Sequence, residues 1–245
     1  MRRVLLQSWG IVALFAAWQF YVMAKHFNTI VIVTPLAVIE DIASHPAAYA
    51  KPTLWTLAFA LVGLAGGLVI GLLLAVLAWS SRLISGVVSP IALLLSSTPV
   101  VCLIPLIARI FGYRNTTELA AVVVLTFFPA FIFAASGLNK FPPMSSELFN
   151  AFAASRFKRL WLLALPAAMP SIAAALRVCA AYSVLVTMLA EYLMQTGGLG
   201  NMFALMSQEF QTERAFGASL LAMVLSSVLY SAAGAVESHI QARYR

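Results

Sequence analysis

The chain alternates between long apolar runs and short polar segments, and this pattern predicts its elements. Six runs carry few or no charges, at residues 9–24, 53–81, 83–108, 119–138, 167–193 and 215–237. A helix needs about 20 apolar residues to cross the hydrocarbon core of a bilayer. The pattern therefore predicts an all-α polytopic membrane protein with about six transmembrane helices.

Two of the runs carry further signals. Glycine recurs every fourth residue in the second run, at Gly63, Gly67 and Gly71, and a face without side chains lets a second helix approach closely. Proline interrupts the third run, at Pro90, Pro99 and Pro105. Each proline removes a backbone donor, so we expect this span to be kinked and to face the protein interior.

The N-terminal part of the chain allows two interpretations. Residues 9–27 predict a retained first helix, although Val22-Met23-Ala24 also resembles the cleavage site of a signal peptide. Residues 28–52 contain three prolines and mixed charge, and their apolar part is too short to span a membrane. We predict a loop or surface helix there.

Composition supports a membrane protein. The 245 residues are 62% hydrophobic and 9% charged, with a mean hydropathy of +0.96, whereas soluble domains carry roughly 25% charged residues. The net charge of +7 comes from cations scattered around the apolar runs, which argues against a nucleic-acid partner. Cys102 and Cys179 lie inside apolar runs, and the histidines (His26, His45, His239) lie far apart, so no metal site is predicted.

The distribution of cations predicts the orientation. With a cytoplasmic N-terminus, the inside segments carry nine cations against five outside, which agrees with the excess of Lys and Arg in cytoplasmic loops. The inside cations are Arg2, Arg3, Arg82, Lys140, Arg156, Lys158, Arg159, Arg243 and Arg245, and the outside ones are Lys25, Lys51, Arg109, Arg114 and Arg214. Six spans then place both termini and residues 140–166 in the cytoplasm.

The segment 140–166 is too long for a simple turn between two spans. It contains the sequence SELFNAFAASRFKRLWLLALP, in which Ala153, Phe157, Leu160 and Trp161 would share one helical face beside two arginines. The pattern predicts a short amphipathic helix at the membrane surface. Such a helix serves either as an anchor on anionic lipid or as a docking element for a soluble partner.

The spacing in this segment resembles the cytoplasmic loop of ATP-binding-cassette (ABC) importer permeases, which reads E-A-A, three residues, G, nine residues, I-x-L-P. Glu147, Ala153, Leu163 and Leu165–Pro166 stand at the Glu, Gly, Ile and Leu-Pro positions. Leu148 and Phe149 replace the two alanines. The replacement of Gly by Ala153 matters more, since Gly permits a positive φ that Ala resists.

The resemblance extends over about residues 30 to 240 and points to the nitrate, taurine, sulfonate and thiamine-precursor branch of these permeases. Five blocks follow the pattern of that branch in order, and VTPLAV (33–38) looks like its extracytoplasmic Pro motif. The blocks are LIPLIARIFG (103–112), FPAFIFAASGLNKFPP (128–143), ASRFKRLWLLALPAAMPSIAAALRV (154–178), AEYL (190–193) and GGLGNM (197–202).

The resemblance implies a type I ABC importer permease fold in one domain, 1–245, with a permease core at about 50–240. It implies a prokaryotic inner-membrane subunit that forms the path for a small nutrient such as a sulfonate, nitrate, or a pyrimidine or vitamin precursor. The implied partners are a second permease chain, most simply in a homodimer, a cytoplasmic ABC ATPase dimer, an extracytoplasmic binding protein and membrane lipid. The implied ATPase-coupling residues are Glu147, Ala153, Ser155, Arg156, Phe157, Arg159, Leu160, Trp161 and Pro166.

The chain carries no Gly-rich phosphate loop ending in Lys-Ser/Thr. It is therefore not expected to be an enzyme or to hold a cofactor of its own, and ATP and Mg belong on the partner ATPase.

Three ionisable residues in or beside the spans are candidates for the translocation path or gate, because charges in a membrane are costly. Arg177 is interpreted either as a structural anchor or as a contact to substrate or gate. Glu191 has a structural and a gating interpretation. Arg109 is either an interfacial arginine or a residue that faces the path and favours anions.

Two rival functions have weaker support. A secondary transporter usually shows two related halves, and neither such a repeat nor a chain of acidic and histidine residues occurs within the predicted spans. A membrane enzyme would need clustered catalytic polar groups in one plane of the bilayer, which the sequence does not predict.

Overall fold

A computed structural model describes residues 2–25, 32–141 and 144–243, and these residues form helices joined by short connections. The helices are α1 (Arg2–Lys25), α2 (Pro35–Ser44), α3 (Pro46–Ser80), α4 (Arg82–Ser97), α5 (Val100–Phe111), α6 (Asn115–Leu138), α7 (Ser145–Ala151), α8 (Arg156–Arg159), a π-helical segment (Leu160–Ala164), α9 (Leu165–Met194), α10 (Gly198–Gln208) and α11 (Thr212–Arg243). The all-α prediction is confirmed. The predicted end of the first helix at residues 26–27, His26 and Arg245 lie outside the described residues.

Four helices of the described chain are long and apolar enough to cross a membrane: α3, α6, the continuous helix Arg156–Met194, and α11. The pair α4 and α5 makes a fifth span if its two bent halves are counted together. The predicted first span corresponds to α1, in which a shorter apolar helix covers Val12–Lys25. The predicted count of about six spans is therefore reached when α1 and the bent pair α4 and α5 are each counted as one span.

The glycine repeat of α3 packs against α6, so the predicted close approach of a second helix is confirmed. A Cβ atom on Gly67 would lie 2.7 Å from Thr126 Cβ and 3.0 Å from the backbone nitrogen of Phe127. A Cβ atom on Gly71 would lie 2.7 Å from the Cβ of Ala130. The two backbones can approach this closely because glycine has no side chain.

The third predicted span is broken into α4 and α5, whose axes differ in direction by 110°. The break falls just before Pro99, which is consistent with the restriction that proline places on the residue before it. Pro90 and Pro105 remain inside helices.

The segment before the second span is more helical than the sequence predicts. The hydroxyl of Thr34 caps α2, which is the predicted surface helix. Helix α3 starts at Pro46, whereas the sequence predicted a loop or surface helix up to residue 52. Proline fits the first turn of a helix because its missing N–H has no partner there anyway.

Candidate functional site

Within the segment 140–166, residues 144–166 form two helical pieces joined by a left-handed turn. Helix α7 ends at Ala151, and Ala153 has a φ of 45°. The turn is closed by two hydrogen bonds, from Ala153 N–H to Asn150 O at 2.9 Å and from Ala154 N–H to Phe149 O at 3.0 Å. The residue that replaces the family's glycine therefore adopts the backbone conformation that favours glycine.

The hydroxyl of Ser155 caps the helix that follows, accepting a hydrogen bond from Lys158 N–H at 3.4 Å. The prediction of a short amphipathic helix is wrong in its length, because the helix runs without interruption from Arg156 to Met194. Ala153 lies before it and does not share its face.

A π-helical segment, Leu160–Ala164, lies inside this helix just before Pro166. Proline offers no N–H to the carbonyl four residues earlier and its ring crowds that carbonyl. A local change to π bonding, in which Leu165 N–H donates to Leu160 O, is found next to this defect. Pro166 therefore sits within a continuous helix and does not start a separate span.

The loop exposes a cluster of large apolar side chains. Phe157 is 70% exposed and Trp161 57% exposed, and their ring centroids are 6.1 Å apart. We call the loop patch the set of exposed apolar residues Leu148, Phe152, Phe157, Trp161 and Leu162. A groove of about 470 Å³ runs beside it, lined by Leu148, Phe149, Phe152, Ala153, Ala154, Ser155, Lys158 and Leu162.

Other residues of the predicted coupling loop contact residues of this same chain. Leu160 packs against a buried cluster that contains residues of α3 and α6. Arg156 Nη1 donates to Ser80 O at 3.0 Å, and Arg159 Nη1 donates to Asn150 Oδ1 at 2.9 Å. Glu147 is exposed.

Glu191 is fully buried and links three helices. The hydroxyl of Thr56 lies 2.9 Å from both of its oxygens, and Gly200 N–H donates to Oε2 at 2.9 Å. Leu199 N–H donates in turn to Thr56 Oγ1 at 2.8 Å. These contacts join α3, α9 and α10, and they support the structural interpretation of this carboxylate.

Arg177 and Arg109 have different surroundings. Arg177 Nη1 lies 3.1 Å from Glu237 Oε2, and the guanidinium carbon lies 4.2 Å from the ring centroid of Tyr230. Arg177 thus ties α9 to α11, which favours the anchoring interpretation over a contact to substrate or gate. Arg109 is exposed in the last turn of α5, so the structure does not bring the three candidate path residues together.

The sequence interpretation missed Glu118, which is fully buried in the first turn of α6. Among the described residues neither of its carboxylate oxygens makes a hydrogen bond of good geometry, and the hydroxyl of Thr196, which also makes none there, lies near enough to interact with the carboxylate. The signal in the sequence is an acidic residue directly before the apolar run 119–138.

The chain matches one family over most of its length. The family described as "Binding-protein-dependent transport system inner membrane component" matches residues 67–245.

Similar proteins carry permease names. A "Probable ABC transporter permease protein" of Haemophilus influenzae is 28% identical over 227 residues, covering 93% of this chain and 89% of the relative. The formylaminopyrimidine transport permease protein ThiX of Halalkalibacterium halodurans is 28% identical over 183 residues, covering 75% and 73%. The taurine transport system permease protein TauC of Escherichia coli is 24% identical over 208 residues, covering 82% and 76%.

Solved structures show the same fold. A chain of the MetNI methionine ABC transporter in an inward-facing conformation has a TM-score of 0.67 at 20% identity, covering 77% of this chain and 94% of that chain. A chain of an amino acid ABC transporter has a TM-score of 0.65 at 16% identity, covering 86% and 99%.

Proposed function

The chain belongs to the family of binding-protein-dependent transport system inner membrane components and is the permease subunit of an ABC importer, and we propose that residues 140–166 couple it to a cytoplasmic ATPase. The family assignment favours this function over that of a secondary transporter. Hydrolysis of ATP, with its Mg, takes place on the partner, and this chain is not itself an enzyme.

The exposed loop patch is the observation that carries the proposal. Contiguous apolar side chains at the surface mark interaction sites, and aromatic residues supply many of the strong anchors in protein interfaces. Phe157 and Trp161 point outward from the bundle, while Leu160 packs inward. A cleft on the ATPase would receive the two outward rings, and the exposed carboxylate of Glu147 would meet a polar partner there.

The contacts between the loop and the rest of the chain provide a way for movement of the loop to reach the transmembrane helices. Arg156 holds the start of its helix to the end of α3, and the helix continues into the membrane as α9. Movement of the loop is thereby passed to two long helices. Two permease chains are needed for two ATPase sites, so closure of the ATPase dimer would draw two loops together and change the accessible side of the path.

Native mass spectrometry of the co-expressed permease and ATPase tests the docking. In a titration with the ATPase, Phe157→Ala and Trp161→Ala should each weaken the apparent Kd between permease and ATPase by more than tenfold, because loss of a central anchor commonly costs about 2 kcal/mol or more. Phe210→Ala is a matched control, since Phe210 is 69% exposed in the connection between α10 and α11. Equal ATPase occupancy in all variants would contradict the docking role.

The same spectra test the assembly. We propose a homodimer of this chain, in line with the closed symmetry of most oligomers. A complex with one copy of a permease chain would contradict it. The further proposed partner is an extracytoplasmic binding protein that delivers the substrate, and the complex is proposed to lie in the inner membrane with both termini in the cytoplasm.

The proposed substrate is a small nutrient of the kind named for the relatives, namely a sulfonate such as taurine or a pyrimidine such as formylaminopyrimidine. Among the three candidate path residues, Arg109 is the exposed one, and its side chain makes no hydrogen bond or ion pair to another described residue, so it is the residue proposed to favour an anion. Arg109→Gln should slow uptake without loss of assembly. Arg114→Gln, five residues away, is the control, and equal uptake in both variants would remove Arg109 from the path.

A further inference from the structure

A second feature lies behind the loop, at the end of the bundle where α3 ends, α4 begins and α6 ends. A partly open cavity of about 550 Å³ lies there. The loop closes one side of it with Arg156 and Arg159, and α4 closes another with Arg82, Ser85 and Ser89.

The lining of this cavity is strongly basic. Three arginines line it, together with serine and asparagine residues, and no aspartate or glutamate is among the described residues that line it. Arg82 is exposed and makes no hydrogen bond or ion pair to another described residue. The Nε atom of Arg159 is buried and has no partner within the described chain.

We propose that this cavity binds a phosphate group, and that the phosphate is that of an anionic phospholipid. Guanidinium groups present planar pairs of N–H donors that match the oxygens of a phosphate. An anion between the three arginines would offset their mutual repulsion.

The surroundings of the cavity favour a lipid as the source of the phosphate. Exposed apolar side chains of α4 lie beside the polar ones, at Leu83, Val87 and Ile91. A headgroup in the cavity would therefore continue into acyl chains along α4. Basic pockets between helices at the cytoplasmic side are suited to anionic headgroups, so the proposal rests on the orientation proposed above.

Occupation of the cavity has a consequence for the loop. Arg156 and Arg159 are contributed by the segment that is proposed to dock the ATPase, while Arg82 belongs to α4. A bound phosphate would thus connect the docking segment to the bent pair of helices. The lipid would stabilise the loop in the position that it has in this structure.

Native mass spectrometry of the purified complex, titrated with dioctanoyl phosphatidylglycerol, tests the proposal. Wild-type complex should retain the lipid, and Arg82→Gln should weaken its apparent Kd by about fivefold, the scale of one exposed charge contact. Arg82→Gln breaks no contact between described side chains, so assembly should persist. Arg243→Gln, another exposed arginine near the C-terminal end of α11, should bind the lipid as wild type does.

Three further measurements distinguish a lipid phosphate from a free phosphate ion, and the lipid site from the proposed docking of the ATPase. Dioctanoyl phosphatidylcholine should bind more weakly than phosphatidylglycerol, and millimolar inorganic phosphate should not displace the lipid. Displacement by inorganic phosphate would mean that the cavity takes a free anion and would overturn the lipid source. Equal lipid binding by Arg82→Gln and wild type would overturn the site. Trp161→Ala should lose ATPase but keep the lipid, so failure of docking is distinguishable from failure of this inference.

Discussion

At the scale of single residues, Ala153 occupies a position whose backbone is left-handed, with a φ of 45°. An L-residue pays roughly 1–2 kcal/mol for that conformation, and glycine does not. Ala153→Gly should therefore stabilise the turn by about 1 kcal/mol, visible as slower hydrogen exchange at the amides of Ala153 and Ala154.

Ala151→Gly is the matched control for this prediction, because Ala151 is in the last turn of α7. Glycine in a helix costs up to about 1 kcal/mol relative to alanine. Exchange should become faster in this variant. Faster exchange in Ala153→Gly as well would show that the left-handed turn does not limit the stability of the loop.

Two buried threonines allow a second comparison. Thr56 accepts from Leu199 N–H and donates to Glu191, whereas Thr126 Oγ1 has no hydrogen-bond partner in the described chain. Thr56→Val should lower the free energy of unfolding by about 1–3 kcal/mol, because it leaves a buried donor unpaired. Thr126→Val should leave it unchanged or raise it.

Thermal unfolding of the detergent-purified complex measures this difference. A melting temperature lowered as much by Thr126→Val as by Thr56→Val would show that the exchange of a hydroxyl for a methyl group, and not the Glu191 network, decides the result.

Sequence reasoning succeeded at some of these residues and failed at others. The spacing of a recurrent motif locates the loop in the sequence. The positive φ of Ala153 could not be predicted from the residue itself, because alanine resists the conformation that the family's glycine permits. The partners of Arg177 and Glu191 could not be found, because Glu237 and Thr56 lie 60 and 135 residues away. Long-range pairs of this kind depend on which helix faces meet.

At the scale of elements, the packing of α3 on α6 is the contact that the sequence described best. Gly67→Ala should destabilise the protein by about 1–3 kcal/mol, because the added methyl group meets backbone atoms that cannot rotate away. Gly86→Ala is the control, since a Cβ atom there meets no atom within 4 Å. Its melting temperature should be equal to that of wild type or higher.

Loss of stability in Gly86→Ala as large as that in Gly67→Ala would contradict the packing account. The comparison can be made in the same thermal unfolding assay as the threonine variants.

Elements whose geometry depends on a local defect were predicted less well. The break before Pro99 could be expected from proline alone. The π-helical segment before Pro166 could not, because a proline can equally start a new helix. Whether the helix continues across Pro166 depends on how Leu160 and Leu165 pack against the core.

At the scale of the whole molecule, the apolar runs predicted the class and most of the spans, since the bilayer fixes the length of each run. The orientation remains a prediction from the distribution of cations. Single cysteines test it, on a background with Cys102→Ala and Cys179→Ala. In intact cells a membrane-impermeant maleimide should label Ser207→Cys, and it should label Lys140→Cys only after permeabilisation.

Both positions are exposed. Lys140 follows the end of α6, and Ser207 lies in α10, which follows the C-terminal end of the continuous helix Arg156–Met194. Labelling of Lys140→Cys in intact cells would mean that the loop is extracytoplasmic. The coupling proposal would then be wrong, because the ATPase would have no access to the loop.

Stimulation of ATP hydrolysis by the permease tests the coupling claim most directly. The quantity to measure is the hydrolysis rate per assembled complex in lipid, divided by the rate of the ATPase alone. Trp161→Ala and Glu147→Ala should fold and insert normally but lose most of this stimulation, while Phe210→Ala should retain it. A lipid anchor would instead lose insertion and keep the rate per complex. Full stimulation in both loop variants would contradict the claim that residues 140–166 transmit the work of the ATPase.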